Sequence, residues 1–284
     1  MAAKMKSYFL LGILSVLFVY IGSLFGNEWM VFAFFMALVM NFVSYFLGDK
    51  IVLAMTRAVM VPENQMPRLH RIVEEVAVSA GIPKPTIYII PSASPNAFAT
   101  GRDPAHSSVA FTQGILELLD ENELKGVIAH EMSHIKNRDI LVATIAATIA
   151  SAIMMIARMI QFAAIFGGGG RDSDRGGNIF SVFAMIAFAI LVPIVASLIN
   201  LAISRSREYL ADETGAKLIH NPFALANALR KLARGVSGAP MNSVNPSISH
   251  LFVVNPFSAK SFFNLFSTHP PMEERIRRLE NMSF

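Results

Sequence analysis

Two runs near the start of the chain, Tyr8 to Phe25 and Met30 to Leu47, hold no charged side chain and are separated only by Gly26, Asn27, Glu28 and Trp29. Each has about the length a helix needs to cross the roughly 30 Å hydrocarbon layer of a bilayer, so residues 1–48 read as a transmembrane hairpin. Lys4 and Lys6 resemble the start of a signal peptide, but the run behind them is too long for one and a second run follows at once. A third run opens at Ile140, stays uncharged to Ala157 and continues past Arg158 to Phe166; a fourth covers Ile179 to Ile203. These two frame a second apolar hairpin, 140–203, around the loop Gly167 to Asn178, whose glycines and charges do not support a helix. Arg158 is costly at mid-bilayer and marks a span end; the alternative is a helical pair buried in the protein body. Two to four membrane helices are expected.

Only 15% of the 284 residues are charged, against roughly 25% in an average soluble domain, which argues against disorder and against a wholly soluble protein. The net charge of +4 is small and scattered, so no nucleic-acid partner is expected. There is no cysteine, and any metal must be held by His, Asp or Glu. Lys4, Lys6, Lys50, Arg57, Lys136, Arg138, Arg205 and Arg207 flank the runs on one side, while the other has Arg171 and Arg175 and, at its boundary, Arg158. The positive-inside rule then puts both termini and the polar segments 49–139 and 204–284 in the cytoplasm. A multi-pass protein of a bacterial inner membrane is the expectation.

The first polar segment is of mixed type. Pro67 to Ala80 carries apolar residues at helical spacing and stops at Gly81. Thr86 to Ile90 is a β-branched and aromatic strand between prolines, and Asn96 to Thr100 and Ser108 to Thr112 make two more short strands. Asp120, with Glu123 three residues on, caps a helix running from Asn122 to about Lys136. The fold class is therefore α+β, mainly helical with a small sheet.

That last helix carries His130, Glu131, Met132, Ser133 and His134, an H-E-x-x-H pattern. Residues four apart share one helix face, so the two imidazoles project to one point at a spacing a tetrahedral zinc accepts. Glu131 lies beside that point, where a carboxylate takes the proton of an attacking water whose pKa the metal has lowered. With 7 histidines in the chain, a chance match is on the order of one per cent. A catalytic zinc usually takes three protein ligands. The third is sought in Ser206 to Ala216, where Glu208 and Asp212 are four apart: one can bind the metal while the other holds the N–H of a ligating imidazole. His70, His106, His220 and His250 have no partner at ligand spacing.

With these residues in hand, the chain resembles the HtpX-type membrane zinc metallopeptidases, relatives of the CAAX prenyl proteases with thermolysin-like motif logic. The resemblance runs along nearly the whole chain: the two leading spans, P-N-A-F-A-T-G from Pro95, H-E-M-S-H from His130, E-Y-L-A-D from Glu208 and T-H-P-P from Thr268. It implies a zincin-type endopeptidase with one zinc per chain, held by His130, His134 and Glu208, with Asp212 behind an imidazole and Glu131 as general base. It also implies a site on the cytoplasmic face and a role in quality control, with damaged or misassembled membrane proteins and unfolded polypeptides as substrates and the lipid bilayer as surroundings. Asn96, Ala97 and Phe98 resemble an edge strand that takes a substrate peptide by backbone pairing. His269 resembles a donor to the oxyanion. The generic motif has an apolar residue two past the second His, where this chain has Lys136. A prenyl-protein-type C-terminal protease and a membrane scaffold with a structural zinc are the alternative readings.

Overall fold

The computed structural model describes residues 26–166, 205–241, 244–257 and 270–283, together with isolated positions between 9 and 23. The glycine-rich loop, the fourth apolar run, most of the first run and His269 lie outside the described residues.

Helix α1 (Asn27–Phe46) is apolar on nearly every face, and Trp29, Phe32, Phe35 and Phe42 are all exposed. A helix of that length which buries so little is what a bilayer accommodates. Asn41 Nδ2 donates to Ser15 Oγ at 2.8 Å, joining α1 to the first apolar run. Helix α2 (Gly48–Met55) then turns into the protein body, with Val52 and Leu53 buried.

Strand β1 (Val59–Met60) leads to helix α3 (Pro67–Ala80), whose ends are those read from the sequence. Leu69, Ile72, Val73, Val76, Ala77 and Ala80 form its buried stripe, and Gly81 closes it at φ 70°, a left-handed conformation that costs glycine nothing. Strands β2 (Thr86–Ile90), β3 (Ala97–Asp103) and β4 (His106–Thr112) complete a sheet in the order β1-β2-β4-β3. β2 and β4 run parallel, whereas β3 and β4 form an antiparallel hairpin. That hairpin continues beyond the expected strand ends through an irregularity at Gly101 and Asp103. Gly101 sits at φ 138°, where an added Cβ would stand 2.3 Å from the His106 carbonyl, and Asp103 Oδ1 accepts from the His106 N–H at 2.9 Å to fix the turn. β3 is left as one edge of the sheet.

After the short helix α4 (Gln113–Leu118) comes α5 (Glu121–Asn137). Both halves of its capping box are present: Glu123 N–H donates to Asp120 Oδ1 and Asp120 N–H to Glu123 Oε2, each at 3.0 Å. Val127, Ile128, Met132 and Ile135 put this helix through the middle of the core, beneath the sheet and against α3. Lys136 is exposed in its last turn, where a cation is favourable. Arg138, at φ 61°, ends α5, and α6 (Asp139–Phe166) leaves at a bend of 89°.

The early part of α6 is packed against other elements of the protein. Ile140, Leu141, Val142, Ile145, Ala147, Ile149 and Ala150 are all buried, and the helix packs on β3, α2 and the short 3-10 helix Pro246–Leu251. Thr144 Oγ1 and Thr100 Oγ1 are 2.8 Å apart, and Ser151 Oγ meets Ser247 Oγ at 2.7 Å. The stretch that hydropathy reads as the start of a third span therefore belongs to the protein body over its first turns. Helices α7 (Arg205–Ile219), α8 (Pro222–Gly238) and α9 (Met272–Glu280) close the fold on the far side of α5.

Candidate metal centre

Two helices build the centre, and glycine sets their separation. A Cβ on Gly215 of α7 would stand 2.9 Å from the His130 backbone nitrogen, so α7 lies directly against α5 and carries Glu208 to the histidines. His130 Nε2 and His134 Nε2 are 3.2 Å apart. Glu208 Oε2 lies 3.9 Å from the first and Oε1 3.5 Å from the second. Ligands bonded at about 2.0–2.1 Å to a tetrahedral zinc would be spaced by about 3.3–3.4 Å, so the triangle has the required size.

The groups behind the ligands fix which ring nitrogen faces the gap. Asp212 Oδ1 lies 2.9 Å from His130 Nδ1, and Asp139 Oδ2 lies 3.5 Å from His134 Nδ1. The ring protons belong on Nδ1, leaving both Nε2 lone pairs and the Glu208 carboxylate converging on one point. Such a cluster repels itself unless a cation stands there. Burial lowers the pKa of His134, but the Asp139 hydrogen bond and the Glu208 charge outweigh it and push it up to about 9, so this corner draws a positive charge. For His130 burial wins over the attraction of Asp212, and the ring stays neutral, the form that binds metal.

Asp212 is itself held by a residue the sequence reading did not single out. Arg275 of α9 has no exposed surface; its Nε donates to Asp212 Oδ2 at 2.8 Å and its Nη2 to Asp212 Oδ1 at 2.7 Å. Its Nη1 donates to the Val253 carbonyl at 3.0 Å and lies 3.9 Å from Glu208 Oε2. Burial raises the Asp212 pKa, but the Arg275 charge and bonds more than reverse it, so Asp212 is ionised and can hold the imidazole. Arg275 shares a helix face with Met272, Ile276 and Leu279, and a cation in an otherwise apolar stripe was the available signal. Asp139 is a second such residue: besides His134 it accepts from Arg207 Nη1 at 3.2 Å. Nothing in its own neighbourhood of the sequence distinguishes it from a helix-start aspartate.

Glu131 lines the same cavity and is buried. That burial pushes its carboxyl up to about 7, against the pull of His134. The Ala99 backbone, on the outer edge of β3, pulls that pKa the other way, and Ala99 lines the same cavity.

The outer edge of β3 is partly covered from within the chain. Asn96 is fully buried and acts inward: its Nδ2 donates to the Val254 carbonyl at 2.7 Å and its Oδ1 accepts from Val254 N–H at 3.3 Å. The Ala97 carbonyl takes the Val253 N–H at 3.0 Å. Phe98 pairs with Ala110 toward β4 and packs edge-on against Phe252, with ring centroids 5.2 Å apart. The segment at Val253 and Val254 thus covers the part of the strand from which Asn96 to Phe98 were expected to bind a peptide. Ala99, one residue on, lines the cavity.

The model of peptidase family M48 matches residues 63–283. The chain belongs to peptidase family M48. A protease HtpX homolog from Syntrophobacter fumaroxidans is 52% identical over 285 residues, covering 99% of this chain and 100% of the relative. One from Pyrococcus furiosus is 53% identical over 275 residues, 96% of this chain and 94% of its own. The crystal structure of S. mikatae Ste24p aligns with a TM-score of 0.48 at 19% identity, over 98% of this chain and 62% of that one. As a member of M48 the chain is a metalloendopeptidase, and His130, His134 and Glu208 are a group that could hold its metal.

Proposed function

We propose that this M48 peptidase is a membrane-anchored zinc endopeptidase whose site faces the cytoplasm and whose substrates are unfolded polypeptides and misassembled membrane proteins. The observation that carries the reading is the convergence of His130 Nε2, His134 Nε2 and Glu208 on one point beside buried Glu131. Two imidazoles and a carboxylate suit zinc, whereas calcium and magnesium prefer six or more oxygens or retained waters. Among the described residues the group comprises three donors, the number that leaves a position for water and substrate rather than a closed structural site. Held by His130, His134 and Glu208, a zinc ion would supply Lewis-acid chemistry to the attacking water and the scissile carbonyl.

The remaining steps belong to the chain. Glu131 takes the water's proton and passes it to the leaving amine, and a carboxyl poised near 7 is matched to both transfers. Asp212 and Asp139 hold the two imidazoles in orientation while Arg275 keeps Asp212 charged. Ala99 is the part of β3 at which a peptide meets the cavity, in place of Asn96 and Ala97. His269 keeps the oxyanion role that the resemblance implies. The basic residues around the apolar runs set the cytoplasmic orientation.

Membrane vesicles test the metal and the orientation together. Inside-out vesicles carrying the protein should cleave added casein, lose that activity on chelation and regain it with zinc but not with magnesium or calcium. Right-side-out vesicles should be inactive. Chelator-resistant cleavage would contradict the metal assignment, and cleavage confined to right-side-out vesicles would contradict the orientation.

A further inference from the structure

We propose that Arg207 is a substrate-binding residue whose Nη2 donates a hydrogen bond to a backbone carbonyl oxygen of the bound peptide. The inference rests on the peptidase reading and deepens it.

An edge strand holds an extended peptide through the alternate residues that point away from the sheet. On β3 these are Ala97, Ala99 and Gly101. The Ala97 carbonyl is already taken by the Val253 N–H, and the Gly101 N–H faces Thr144 Oγ1 at 3.4 Å. What remains open is one residue long, Ala99, which lines the cavity. A peptide lying in this cavity needs an anchor elsewhere on the wall.

The polar groups lining the cavity are few. His130, His134 and Glu208 are committed to the metal point, and Asp139 to His134 and Arg207. His250 Nε2 faces the Ala143 carbonyl at 3.2 Å. Arg207 differs. Its Nη1 donates to Asp139 Oδ1 at 3.2 Å, while its Nη2, equally buried, has no hydrogen-bond partner among the described residues. A buried guanidinium N–H without an acceptor is costly, and a ligand oxygen would remove that cost. Arg207 and Glu208 both line the cavity, so its side chain shares that space with the group proposed to hold the metal.

The charge balance selects the acceptor. Asp139 already neutralises Arg207, so its second N–H calls for no charged partner. A neutral amide carbonyl is sufficient to satisfy it. The class of ligand is therefore the peptide backbone itself, with no demand on side-chain charge, which suits an enzyme that cuts many unfolded sequences.

Arg207→Lys keeps a cation opposite Asp139 but offers one nitrogen in place of the fork. In the zinc-loaded full-length protein it should retain metal content and Tm, and lower kcat/KM for an uncharged fluorogenic peptide about 10- to 100-fold, as expected for one hydrogen bond from a charged donor. The same factor should appear as weaker binding of that peptide when Lys is introduced into the non-hydrolysing Glu131→Gln background. A thioamide scan of the peptide on the parent protein is independent of any variant: one carbonyl near the scissile bond should prove sensitive. Turnover within two-fold of the parent, a loss confined to peptides with acidic residues at the cut, or no sensitive carbonyl would overturn the proposal. If the parent itself cleaves no peptide, the peptidase reading fails with it, an outcome distinct from a parent that cleaves and a Lys variant that matches it.

Discussion

Glu131→Gln is expected to purify with a full complement of zinc and to lose about three orders of magnitude or more in kcat/KM, because the amide fills the carboxylate's place but takes no proton. The structure indicates that the variant will fold. The introduced amide has the shape of the carboxylate it replaces and carries no charge into a buried position. Burial has pushed the Glu131 carboxyl up to about 7, which means that folding opposes its charge. For an acid whose folded pKa is raised, the cost is absent below the unfolded value near 4.5 and grows as pH rises toward 7. Replacing it with a neutral amide removes that cost, so the metal-free variant should show a Tm at or above the parent's at pH 8. Metal analysis, turnover and a thermal melt check the three statements, and near-parental turnover would remove Glu131 from the mechanism.

The second large effect separates Glu208 from Asp212. Glu208→Gln removes a donor that faces both Nε2 atoms and should yield protein with little zinc and no activity. Asp212→Asn leaves the three converging donors in place, and the change behind the imidazole should cost about 10- to 100-fold in metal affinity or activity. The structure adds a consequence that spacing alone does not show. A neutral amide at this position would leave buried Arg275 with only the more distant Glu208 carboxylate, at 3.9 Å, opposite it, and breaking a buried pair from one side costs up to about 3–5 kcal/mol. Asp212→Asn should therefore melt well below the parent even with zinc present, whereas Glu208→Gln should not. Adding Arg275→Met to Asp212→Asn should recover part of that stability, since the orphaned charge goes with it. If Asp212→Asn empties the site while Glu208→Gln keeps metal, the two roles are reversed.

Much of this centre was legible because its signals are local. The capping box of Asp120 and Glu123 and the four-residue spacing of His130 and His134 are properties of one helix, and they set its start and its working face. Glu208 and Asp212 share a helix in the same way, and a long carboxylate reaches across to a neighbouring helix more readily than a short one. α3 and β2 were bounded by Gly81 and by prolines, residues that stop an element for steric reasons.

What was not legible depends on contacts between distant parts of the chain. Arg275 meets Asp212 across 63 positions, and Val254 meets Asn96 across 158, so no window of sequence contains either pair. The second contact holds Asn96 buried against Val254, which the spacing along the strand does not show. α6 is ambiguous for another reason: a helix apolar on all sides satisfies a bilayer and a protein core equally, and the burial of its early turns, with hydroxyl pairs at Thr144 and Ser151, comes from contacts distant in the chain. The extension of β3 and β4 to Asp103 and His106 needed Gly101 to turn through a conformation closed to other residues.

The central claim is that one zinc is held by two histidines of α5 and one glutamate of α7, with a position left open. An anomalous difference map, recorded at the zinc edge from crystals of the full-length protein in detergent, tests it most directly. The account predicts one peak per chain, about 2.0–2.2 Å from His130 Nε2, His134 Nε2 and a Glu208 carboxylate oxygen, with no fourth protein ligand. A peak bonded to Asp212 in place of Glu208, or one closed by a fourth side chain, would contradict it.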